Sequence, residues 1–195
     1  MSEKMTTTIQ MHEAEDEKAK LAYFMRSKWS NRFIFAAIIQ GLGATLVTAP
    51  LVLPWITPPV SMVVAGGSAG TWFTVGYILY IVVGVLAVAV TALFYHHFEV
   101  ILNRPYKGIA NYLAWIHIVL MNVGVAAAAA ILMYGGYMGG AAMLSTSVGG
   151  LGQNAGWVHV NILGPLVTPA GYAIITAMTG VLAGGLGFVV TYFRR

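Results

Sequence analysis

The sequence contains no cysteine, and it is poor in charge: 8% of its 195 residues are Asp, Glu, Lys or Arg, against about 25% in a soluble domain. The absence of cysteine excludes a disulfide framework, thiolate metal sites, iron–sulfur clusters and cysteine nucleophiles. The shortage of charge excludes a cytosolic enzyme, because so few polar groups cannot cover a surface that faces water. With 58% apolar residues, the composition is that of a chain in a bilayer. Also missing are a Walker loop, a dinucleotide fingerprint, a His-Glu-x-x-His pair, a carboxylate pair and a Ser/His/Asp set, so a self-contained enzyme has little to work with. The net charge of +4 is read from where the charges lie, and no nucleic-acid partner is expected.

Four stretches are apolar for long enough to cross a hydrocarbon core of about 30 Å at about 1.5 Å per residue. They lie near 32–53, 72–100, 109–134 and 168–192. The expected fold is therefore an all-α integral membrane protein, a four-helix transmembrane bundle over 32–195 behind a polar segment, 1–31. In that segment, helix formers over 12–26 with apolar Leu21, Phe24 and Met25 predict an amphipathic helix at the interface. Its crowded acids, Glu13, Glu15, Asp16 and Glu17, argue against a targeting signal. Residues 54–70 and 135–156, rich in glycine with proline or serine, read as loops. Residues 156–195 as one helix would reach roughly 60 Å, about twice the core thickness. A break is expected at Pro165 or Pro169, leaving 157–163 as a short outer interfacial or re-entrant helix.

Basic residues are distributed one-sidedly. Of ten Lys and Arg residues, six lie at or before Arg32, two (Arg104, Lys107) lie between spans two and three, and two (Arg194, Arg195) end the sequence. The other two loops carry no charge of either sign. Under the positive-inside tendency both ends of the sequence face the cytoplasm, in a multi-pass cell-membrane topology.

Ionisable groups within or beside membrane spans are the first functional candidates, since they cost free energy unless paired or turned to a polar interior. Here these are His96, His97, Glu99, His117 and His159. A hairpin turning near Pro105 would bring His97 within about one helical turn of His117 in depth. Two imidazoles on facing helices are what a bis-histidine haem needs, and a quinone site would draw on the same cluster. The alternative is that His96 and His97 lie at the membrane surface while His117 hydrogen-bonds to a neighbouring helix. On the outer side, Trp157, His159 and Asn161 form a short polar stretch that would contact a partner there, or simply sit at the interface. Gln40 and Asn122 are the polar groups deep in spans one and three, suited to bridging helices. Gly180 and Gly184 have the small-xxx-small spacing of a close helix contact, within the chain or with another subunit.

Phe94, Tyr95, His96, His97 and Phe98, then Asn103, Arg104 and Pro105, then Trp115, His117, Leu120, Met121 and Gly124 together carry a resemblance. This stretch resembles the tenth and eleventh helices of subunit I of the heme-copper oxygen reductases, over roughly a third of the chain. The resemblance implies that spans two to four correspond to that subunit's last helices. It also shows a departure: the family opens its tenth helix with histidines that bind the haems, where this chain has Gly70, Thr71, Trp72, Phe73 and Thr74. His117 matches a family histidine that is not a haem ligand. The resemblance implies a non-catalytic accessory subunit of a terminal oxidase or related respiratory complex, with membrane subunits and lipid as partners, and with haem or quinone reached through the complex. The alternatives are a b-type haem or quinone-binding electron carrier, using His97 and His117, and a small channel or transporter.

Overall fold

The computed structural model describes residues 12–18, 20 and 27–194. Among these residues every regular element is helical. Residues 12–18 and 20 are helical and exposed, while Leu21, Phe24 and Met25, the apolar face of the expected amphipathic helix, lie outside the described residues. The architecture consists of α1 (Lys28–Val52), a short α2 (Val60–Ala65), α3 (Ser68–Ile101), α4 (Ile109–Met143) and α5 (Ala155–Phe193). All but α2 are long and apolar enough to cross a membrane. The protein is an all-α four-helix bundle of membrane-spanning character.

Helix α4 is the most buried of the four and packs along both α3 and α5, with α1 laid mainly on α3. The α4–α5 contact is close because neither helix carries side-chain bulk there. A Cβ at Gly124 would run into the backbone of Ala177, and one at Gly180 into the backbone of Met121. Close backbone approach through small residues is the principal means by which helices associate in lipid, where apolar burial gives no preference for a neighbour over an acyl chain. Gly43 likewise makes room on α1 for the Tyr80 ring of α3.

Two expectations are corrected. The stretch 135–156 is not a loop throughout, because α4 continues to Met143. Its glycines are helical because neighbours press against them: Phe73 on Gly136, Val63 and Gly70 on Gly140, and Ala69 and Val158 on Gly139. Nor does the last segment break. Its 39 residues run as one helix from Ala155 to Phe193, and its first turn joins the rest through a π-helical stretch, His159–Leu163. There the Gly164 amide bonds back to the His159 carbonyl, a five-residue step. A widened turn ahead of Pro165 accommodates the missing donor and the ring, and Pro165 then stands in the first turn of the regular helix that follows. Pro169 is carried inside the helix.

The α3–α4 connection is tight. Asn103 takes a positive φ of 50° and Gly108 one of 56°, and the Arg104 amide returns to the Phe98 carbonyl at 2.8 Å. Arg104 also reaches the Thr191 carbonyl at 3.4 Å, and Arg194 the Lys107 carbonyl at 2.9 Å. These cations bind the end of α5 to the turn where helix carbonyls lack partners.

Candidate functional site: the polar aromatic core at the basic end

The chemistry-bearing groups gather where α1 begins, α3 ends and α4 starts. Trp29, Phe33, Val88, Tyr95, Tyr106 and Ala114 are part of one buried cluster there. Phe33 stacks on Tyr95 at 4.7 Å between centroids, and Phe188 of α5 stacks on Phe98 at 5.5 Å. Tyr106, in the turn, has its phenol held above the ordinary range chiefly by burial and stays protonated.

Glu99 is only 4% exposed. Its carboxylate accepts from the Trp29 amide at 2.9 and 3.1 Å and from the Ser30 amide at 3.2 Å. These amides belong to the first turn of α1, whose donors have no partner within the helix. Glu99 thus caps α1 from another helix, with one amide contact on Oε1 and two on Oε2.

His117 is 3% exposed. Its Nδ1 shares a hydrogen bond of 3.1 Å with the Tyr95 hydroxyl, Phe33 lies 5.0 Å from its ring, and Gly184 of α5 is packed directly against the imidazole. A side chain at Gly184 would overlap that ring. His97 has an exposed side chain whose ring meets Phe98 at 5.9 Å. The structure therefore does not bring His97 and His117 together: one faces outward and the other is enclosed by helices. Among the described residues no group of three or more His, Asp or Glu is placed to hold a metal ion.

Gln40 and Asn122 do meet. Gln40 Nε2 donates to Asn122 Oδ1 at 3.0 Å, and Asn122 Nδ2 donates to the Ile118 carbonyl at 2.7 Å. Thr45, Thr48, Thr91, Thr176, Thr179 and Thr191 each donate to the carbonyl four residues back. These amide and threonine side chains inside the spans are thus joined to one another or to backbone. At the uncharged end, Trp157, His159 and Asn161 are all exposed, with the Trp157 amide capped by Asn154 and Asn161 bonded to the Trp157 carbonyl.

Sequence reasoning did not anticipate Arg32. Its guanidinium lies between two indoles, 4.5 Å from the Trp29 ring and 4.4 Å from the Trp115 ring. Trp29, three residues before Arg32, was a visible signal on one side; Trp115 required knowing that α4 passes alongside.

No protein-family model matches the chain, and no curated protein and no solved structure matches it significantly. The fold and its core define a membrane protein of four long helices in which buried Glu99, His117 and Gln40 each join one helix to another.

Proposed function

We propose that the chain is a non-catalytic accessory subunit of a respiratory terminal oxidase or related electron-transport complex. It would lie in the cell membrane with both ends of the sequence on the cytoplasmic side, where the basic residues cluster. There it stabilises the complex or shapes a surface for lipid, quinone or an electron donor. One observation carries the reading. At the start of α3, where the resembled family places haem-binding histidines, this chain has Thr71, Trp72 and Phe73, and Phe73 is packed on Gly136 of α4. On this reading, helix packing stands where the family has its ligands. The engagement of His117 with Tyr95 and Gly184 supports the same reading, because it leaves that imidazole a structural part.

Mild-detergent affinity purification from the native membrane tests it, with co-purifying chains identified by mass spectrometry and the visible spectrum recorded on the same eluate. Oxidase subunits arriving together with their haem are the expected result. A protein that arrives alone and colourless overturns it. A haem spectrum from the isolated chain that vanishes in His117→Gln transfers the assignment to a b-type electron carrier.

A further inference from the structure

A groove of about 850 Å³ runs between α1 and α4 at the basic end of the bundle, lined among others by Lys28, Arg32, Ile34, Ile38, Trp115 and Ile118. Its two ends differ in chemistry. Lys28 and Arg32 are one helical turn apart and share a face, so two cations stand at one end. Beyond them the wall is made of isoleucines, with Ile34 and Ile38 exposed on the outer face of α1. Arg32 is held between Trp29 and Trp115, and its Nη1 is buried with no hydrogen-bond partner. Arg32 as a whole is half-buried, so the other donors of its guanidinium are the ones within reach of an anionic acceptor in the groove. The nearby acid, Glu99, lies within electrostatic reach of both cations and offsets part of their charge, while its oxygens are bound to the Trp29 and Ser30 amides.

We propose that this groove is a binding site for an anionic phospholipid, its phosphate on Lys28 and Arg32 and an acyl chain along Ile34, Ile38 and Ile118. Charge complementarity selects the headgroup: a guanidinium fork fits phosphate oxygens, and basic side chains at this depth attract anionic lipid. The isoleucine wall selects a lipid over a free anion. A quinone would use the wall but has no formal charge to match both cations. The proposal rests on the helices lying in a bilayer and is independent of the oxidase-subunit reading.

The test is native mass spectrometry of the delipidated full chain in detergent, titrated separately with phosphatidylglycerol and phosphatidylcholine. Phosphatidylglycerol should bind more tightly by on the order of fivefold for each cation engaged. Lys28→Gln, at an exposed position, should lower that preference roughly fivefold, as should Arg32→Gln. If Arg32→Gln fails to fold, Lys28→Gln decides alone. Equal binding of the two lipids overturns the proposal, as does a preference unchanged by Lys28→Gln. Displacement of phosphatidylglycerol by ubiquinone reassigns the groove to a quinone, and displacement by millimolar inorganic phosphate to a free anion; either overturns it too.

Discussion

Glu99 joins residues 70 positions apart in sequence and closes the start of one helix with the end of another. Replacing one of its two acceptor oxygens while keeping its shape should therefore be felt throughout the bundle. Glu99→Gln leaves one carbonyl oxygen where two oxygens accept backbone amides, and a buried donor left without its acceptor costs about 1–3 kcal/mol. A loss of about 1–3 kcal/mol is expected, read as a lower unfolding midpoint in detergent. His97→Gln, on an exposed neighbour, should leave the midpoint nearly unchanged. The sequence showed that Glu99 was an acid at a membrane edge. It did not show the partner, because a backbone amide carries no residue-type signal and the register of α1 against α3 is a tertiary fact. The Gln40–Asn122 pair was more legible, since two amides deep in apolar spans have few partners other than each other or a backbone carbonyl. Arg32 was the least legible, having been counted as a topological charge, with Trp29 nearby in sequence but Trp115 brought to it only by the packing of α4.

At the level of elements, glycine has two opposite roles. Gly180 and Gly185 stand on the same helix, yet a Cβ at Gly180 would enter the backbone of Met121, while one at Gly185 meets nothing within 4 Å. Gly180→Ala should force α4 and α5 apart and destabilise the protein by about 1–3 kcal/mol. Gly185→Ala should be neutral, or stabilising by up to about 1 kcal/mol through helix propensity. Unfolding midpoints of the two single variants check the contrast; equal effects would mean that α5 does not pack on α4 as described. The Gly180 contact was foreseeable from its spacing with Gly184. The same spacing recurs at Gly135 and Gly139 and at Gly136 and Gly140, and in that stretch glycine density suggests a loop. What separates the cases is the neighbour: the pairs at 135–140 are helical because α2, α3 and the N-terminal end of α5 supply partners. Pro165 misleads for a related reason. A proline removes one backbone donor and crowds the preceding turn, which α5 meets with a π-helical stretch ahead of Pro165 while Pro169 is carried within the regular helix.

For the whole molecule, the number of helices and their apolar character followed from composition and length, because a bilayer demands both. Their ends did not, since α4 and α5, at 35 and 39 residues, exceed what a core of about 30 Å requires. Such helices must tilt or project beyond the hydrocarbon. The surplus lies largely on the uncharged side, where the ends of α4 and α5 pack with Ala69 in a cluster that includes Ala142, Val158 and Leu163. The basic side is built differently: Arg104 and Arg194 bind turn to helix end, and Lys28 and Arg32 begin α1. If this asymmetry reflects insertion, the turn after α3 faces the cytoplasm and the segment after α4 faces outward. The absence of native cysteine makes the point directly measurable. Lys107→Cys and Ser147→Cys each place a single thiol at an exposed position in one of those two segments. A membrane-impermeant maleimide applied to intact cells should label Ser147→Cys, and should label Lys107→Cys only after the membrane is opened. The reverse pattern would invert the bundle, placing Lys28, Arg32 and their groove in the outer leaflet.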